Sequence, residues 1–169
     1  MLDRLFVDYS VAKLRQLETR IATCLGLLST EQLWARGGEH ENAVGNLVLH
    51  LSGNVRQWVV SAVGGGPDVR RRDEEFAARA GAGTAELAGQ LNSSVEQAIA
   101  VCESLTPQRL AERVVIQNYD VSVLEAVYHV VEHFSMHTGQ ILFATKLLTG
   151  SDLGFYHHLN AAAHDRKTP

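Results

Sequence analysis

The chain has 169 residues, 46% of them hydrophobic and 20% charged, ordinary values for a folded globular domain and far from a disordered composition. A formal charge of -4 gives no basic field to attract nucleic acid or anionic lipid, and no apolar run approaches the ~20 residues of a membrane helix. Two cysteines, Cys24 and Cys102, exclude a disulfide scaffold, and an N-terminus carrying Asp3, Arg4 and Asp8 does not read as a secretory signal, so a cytoplasmic protein is expected.

The first predicted helix runs from Leu2 to about Leu28, with Leu5, Phe6, Tyr9, Leu14, Leu17, Ile21, Leu25 and Leu28 at helical spacing. After a turn containing Gly37 and Gly38, Asn42 is placed to cap a second helix reaching about Val63, where Gly64-Gly65-Gly66-Pro67 ends it. Residues 67–83 form a polar connection holding Arg70, Arg71 and Arg72 followed at once by Asp73, Glu74 and Glu75. That segment is locally neutral, so a salt-bridged connection or dimer contact is favoured over an anion site.

Thr84 is placed to cap a third helix carrying Leu87, Leu91, Val95, Ile99 and Cys102 in phase. Thr106-Pro107 marks a short helical turn, Arg113–Ile116 reads as locally extended, and Asp120 is placed to cap a fourth helix ending at Gly150. Four long helices predict an all-α, up-down four-helix bundle over residues 1–150, with residues 151–169 as a C-terminal tail.

Eight histidines in so short a chain are unusual. On the second helix, Asn46, His50, Asn54, Gln57 and Ser61 share a flank opposite the apolar residues Val44, Leu47, Val48, Leu51, Val55 and Trp58. An uncharged polar stripe predicts a half-buried cavity wall or an interface. On the fourth helix His129, His133 and His137 recur every four residues. Adjacent members can share an ion, whereas the outer two lie about 80° apart around the axis. The apolar face puts His133 and His137 nearest the interior and His129 nearly opposite. A third ligand must then come from another helix, and His50 is best placed. His40 falls in a loop, and His157, His158 and His164 fall in the tail. The string His133-Phe134-Ser135-Met136-His137 lacks the glutamate of the zinc-protease motif.

The string from His129 through His133 and His137 to Gln140, with a small residue and Gly between, resembles the signature helix of the DinB superfamily. The string from Asn46 through His50 and Asn54 to Trp58 resembles that family's other metal-ligand helix, and the Arg70–Phe76 stretch resembles a branch of unknown function. The resemblance implies a DinB-like four-helix bundle, often a homodimer, with one divalent ion held by His50, His133 and His137. Relatives include bacillithiol transferases and mycothiol-dependent maleylpyruvate isomerase. The implied function is thus a metal-dependent enzyme activating a low-molecular-weight thiol for S-transfer to a small electrophile.

A three-histidine set suits zinc, nickel, iron and copper alike, with zinc or nickel expected first. Asn54, Gln57, Gln140 and His129 are the candidates for positioning ligands or substrate. Two alternatives stand beside this reading: a non-enzymatic dimeric scaffold with a structural or vestigial metal site, and a metal-dependent hydrolase, which no evident inward carboxylate supports.

Overall fold

In the computed structural model, residues 1–160 are described, and His164 therefore lies outside the described residues. Four long helices dominate them: α1 (Leu2–Leu27), α3 (Val44–Val55, continued as a π-helical stretch Arg56–Val63), α5 (Thr84–Glu103) and α7 (Val123–Thr149). Shorter elements fill the connections: α2 (Thr30–Leu33), α4 (Arg72–Ala77), α6 (Pro107–Ala111) and a hairpin of β1 (Arg113–Ile116) and β2 (Tyr119–Ser122). The fold is the expected all-α four-helix bundle, with α1 and α3 each packed against both α5 and α7.

Contacts at the helix ends give their directions. Arg4, at the start of α1, donates to the carbonyl of Glu103 at the end of α5, so these two run antiparallel. Gln32, just past α1, donates to the carbonyl of Leu148 near the end of α7, so α1 and α7 run parallel. Val63 and Arg109 meet where α3 and α5 both finish, so those two also run parallel. The order of directions is up, down, down, up, which departs from simple up-down alternation at the step from α3 to α5. The connection 64–83 must therefore climb the full length of the bundle, and its path takes it over α3.

Local signals explain most boundaries. Ser122 caps α7, accepting from the Glu125 amide while Glu125 returns a bond to the Ser122 amide. Asp120, expected in that role, lies instead in β2 and pairs with Arg113, because Arg113–Asp120 belong to the hairpin. The extended reading of Arg113–Ile116 holds, and Gln117 and Asn118 make the turn with positive φ at both positions. At the start of α3 the side chain of Asn46, not Asn42, supplies the cap, accepting from the Ala43 amide. Thr106 caps α6 with Pro107 at its first position, and Gly150 ends α7 at φ +66°.

Leu14, Ile21, Leu51, Leu87, Leu91, Ile99, Phe134 and Ile141 fill the shared core. Leu153 is buried in it too, Phe155 packs against it, and Arg20 of α1 lies over the rings of Phe155 and Tyr156, so residues 153–156 fold back onto the bundle. Cys24 and Cys102 are buried, and burial pushes both thiols up, Cys102 to about 12. No helix among the described residues is long and apolar enough to cross a membrane.

Candidate metal centre

The polar stripe of α3 faces two neighbours: α7 and the climbing connection. Asn46 is fully buried and anchors that connection, donating to the carbonyls of Glu75 and Ala78 while its Oδ1 accepts from Ala43 N and Arg36 Nη2. Two of these four bonds hold α4 against α3. One turn further on, His50 is 5% exposed and points at α7.

His50 Nε2 lies 3.1 Å from His133 Nε2, which lies 3.2 Å from His137 Nε2. The sequence-predicted trio is thus brought together, with one nitrogen of each ring within 4.8 Å of the others. The other ring nitrogens set the tautomers of two of them. His50 Nδ1 is 3.0 Å from Glu75 Oε2, and His137 Nδ1 is 2.6 Å from Gln140 Oε1; both oxygens only accept, so both Nδ1 atoms carry hydrogen. The Nε2 lone pairs of His50 and His137 then converge on the same point as His133. A proton on His133 Nε2 can serve only one of these two lone pairs, whereas a cation between the rings would engage all three nitrogens. Nitrogens sharing a tetrahedral ion at ~2.0–2.1 Å stand about 3.3 Å apart, so the spacing fits.

Electrostatics agree. Burial, reinforced by His137, His50, His129 and Arg70, pushes His133 down to about 3. Burial also lowers His137, against the opposing bond to Gln140. His133 and His137 are therefore neutral at neutral pH, the form a metal requires.

Sequence reasoning missed Glu75 and Arg70, which complete the centre. Glu75 is buried, and its carboxylate takes Arg70 Nε on one oxygen and Arg70 Nη2 on the other, each at 2.8 Å. Burial pushes the Glu75 carboxyl up, but the bonds from Arg70 and His50 outweigh it and the net shift is downward. Arg70 Nη2 also lies 3.0 Å from His50 Nδ1, yet it donates to the carboxylate because Nδ1 already holds its own proton. Gly53 makes room for this arrangement: a Cβ there would fall 2.0 Å from Glu75 Oε1 and 3.0 Å from Arg70 Nε. The locally neutral run thus resolves into Arg70 with Glu75, Arg71 with Glu74, and Arg72 against the Phe76 ring at 4.9 Å.

The remaining candidates divide. Gln57 accepts from Arg70 Nη1 and Gln117 and donates to Asp68, so it braces the connection rather than touching the imidazoles. Asn54 is buried with Oδ1 unpartnered. His129, expected on the far side, is half-buried instead, its ring 4.1 Å from that of Trp58 and 5.5 Å from that of His133. The reason is that α7 packs against α1 and α3 at once, so its buried sector is wider than its aliphatic stripe.

A cavity of about 510 Å³ opens beside the cluster, lined by His50, His133, Asn54, Trp58, His129 and Tyr119 among others. Trp58, expected in the core, is buried but also forms a wall of this cavity, and its indole Nε1 has no partner.

A family model described as a protein of unknown function, DUF1572, matches residues 2–158. No curated protein matches the chain. Among solved structures, a conserved protein from Enterococcus faecalis superposes with a TM-score of 0.73 at 16% identity, covering 85% of this chain and 97% of that one. A DinB-like protein from Bacillus subtilis, YjoA, gives 0.67 at 16% identity, covering 88% and 97%. A mutant of mycothiol-dependent maleylpyruvate isomerase gives 0.63 at 13% identity, covering 80% of this chain and 60% of that one. The fold is DinB-like.

Proposed function

The chain belongs to the DUF1572 family, and we propose that it is a divalent-metal-dependent enzyme that activates a low-molecular-weight thiol for transfer to a small electrophile. The observation that carries this reading is the convergence of three Nε2 atoms, two with tautomers set by Glu75 and Gln140, beside a cavity large enough for a small molecule. The mycothiol dependence of one structural neighbour supports the choice of a thiol. Zinc or nickel is the proposed ion.

His50, His133 and His137 would hold the ion, leaving it a net positive charge because all three donors are neutral. When bound, such an ion supplies Lewis acidity that brings the pKa of an adjacent thiol or water toward neutrality. Glu75 keeps the His50 proton on Nδ1, and Gln140 does the same for His137, so neither ring can turn its protonated edge inward. Trp58 and Tyr119 give the cavity an aromatic wall that excludes water from one side of a bound molecule.

Two features separate this reading from hydrolysis. Glu75 sits behind His50, bonded through both oxygens, and Glu125, which lines the cavity, is spent on the Ser122 amide and hydroxyl. Neither carboxylate is free to take a proton from water at the open face.

A cytoplasmic homodimer is part of the proposal. Its support is an exposed line of Tyr128, Met136, Phe143 and Leu147 along α7, the kind of surface a second copy covers. Sedimentation velocity showing only monomer would remove that part.

The test is turnover. Zinc- or nickel-loaded protein is assayed with a panel of small thiols and a chromogenic aryl halide. The reading expects thiol consumption that requires both metal and protein and disappears in a folded His50→Ala variant. Absence of metal-dependent turnover with every thiol would favour the scaffold reading.

A further inference from the structure

The cavity beside the imidazoles carries one uncompensated charge. Two arginines, Arg70 and Arg72, and one carboxylate, Glu125, line it. Arg70 is neutralised by its two-pronged pair with Glu75. Glu125 is held by Ser122 at 2.6 and 2.7 Å and lies 3.5 Å from Arg113, so its charge is already answered. Arg72 has no carboxylate partner among the described residues. Its guanidinium lies over the face of Phe76, 4.9 Å from the centroid, and Phe76 packs in turn against His50, ring centroids 4.7 Å apart. The stack Arg72–Phe76–His50 fixes a cation on the lining of a cavity that His50 and His133 also line.

Two further polar atoms on the cavity lining are buried and unpartnered: the indole Nε1 of Trp58 and Oδ1 of Asn54, in side chains only 4% exposed. An indole N–H can only donate, so it too suits an acceptor-bearing ligand. Buried polar atoms left without partners cost stability and are characteristic of sites that a ligand completes.

We propose that the molecule occupying this cavity is a small carboxylic acid with a planar or apolar body, its carboxylate paired with Arg72 and its body against Trp58 and Tyr119. The single free guanidinium matches one negative charge, which favours a carboxylate over a phosphate dianion, and Arg presents the planar fork that a carboxylate fits. The proposal rests on the enzymatic reading above and names the class of its substrate.

The experiment is calorimetric titration of benzoate, benzamide and phenyl phosphate into the zinc-loaded protein and the metal-free protein. The variants are Arg72→Gln, Arg72→Lys and, as a surface control, Arg56→Gln. Benzoate is expected to bind the loaded protein about tenfold tighter than its neutral isostere benzamide, as a charge-assisted bond should. Arg72→Gln is expected to abolish that preference, Arg72→Lys to keep part of it, and Arg56→Gln to leave it unchanged. Zinc affinity should be the same in all. Equal binding of benzoate and benzamide, undiminished benzoate binding in Arg72→Gln, tighter binding of phenyl phosphate, or no binding of benzoate would each overturn the proposal. Failure of zinc to bind wild-type protein would instead overturn the metal reading, and benzoate binding to the metal-free protein would still report on Arg72.

Discussion

Glu75 Oε2 stands 3.0 Å from His50 Nδ1 although 25 residues separate them in sequence. The contact exists because α3 and α5 run in the same direction, forcing the connection between them to travel back along the bundle. A carboxylate on that returning segment thereby becomes the partner of His50 Nδ1 where Asn46 and Gly53 let the segment lie close.

Glu75→Gln removes the charge that holds the His50 proton on Nδ1 and leaves buried Arg70 without its counter-ion. Zinc affinity is expected to fall about 10–100-fold, the usual cost of losing such a partner. Competition titration against a chromogenic chelator measures it. Unchanged affinity would show that His50 needs no orientation from Glu75.

Gly53→Ala should destabilise, against the general preference of helices for alanine. The new Cβ would fall 2.0 Å from Glu75 Oε1, and Glu75 is tied to both Arg70 and His50, so it has nowhere to retreat. Overpacking of this kind costs about 1–3 kcal/mol. Gly89→Ala on α5 meets nothing within 4 Å and should instead stabilise by up to about 1 kcal/mol. Urea unfolding of both variants decides; the same sign for the two would contradict the close approach at Gly53.

Asn46→Ala deletes the two bonds that tie α4 to α3 and the two that Asn46 accepts from Arg36 and the Ala43 amide, and it strands the Glu75 carbonyl, while Ala78 keeps the bond from Arg36. Stranded buried groups cost about 1–3 kcal/mol each. Unfolding midpoints should drop accordingly, and zinc affinity should drop with them because Glu75 loses its anchor. A loss of stability without any change in zinc affinity would show that α4 is positioned by other contacts.

The metal-free protein should lose stability as pH falls. His133 titrates near 3 in the fold but near 6.5 when unfolded, so between those values the unfolded chain binds the extra proton. Stability therefore rises with pH across that window and is lost as pH drops from about 6.5 toward 3. His137 and His129 are shifted the same way by burial. Glu75, lowered on balance, adds its own loss below the carboxylate range. Urea midpoints at about pH 7.5 and pH 5 should differ, and a His133→Phe variant should narrow the difference. Identical midpoints in the wild-type protein would contradict the buried, neutral ring.

Helical periodicity made the bundle and the three histidines legible, since i, i+4 spacing on α7 and the polar stripe on α3 are local properties of the chain. The hairpin was half visible: Arg113–Ile116 is β-like, whereas Tyr119–Ser122 gains its extended form from pairing and displaces the cap from Asp120 to Ser122. His129 was misplaced because a wheel centred on one aliphatic stripe ignores a helix's second neighbour. Arg70 and Glu75 read only as part of a salt-bridged connection, not as partners of His50, because nothing local distinguishes a pair that folds onto His50 from one that faces water. Only the direction of α5 does that.

The central claim is that His50, His133 and His137 hold one divalent ion. Elemental analysis of tag-free protein prepared without chelators, after loading with zinc or nickel and removal of excess, measures it directly. The account predicts about one equivalent per chain, lost in both His50→Ala and His137→Ala and retained in His40→Ala. No bound metal in the wild-type protein, or a full equivalent surviving in His50→Ala, would contradict it.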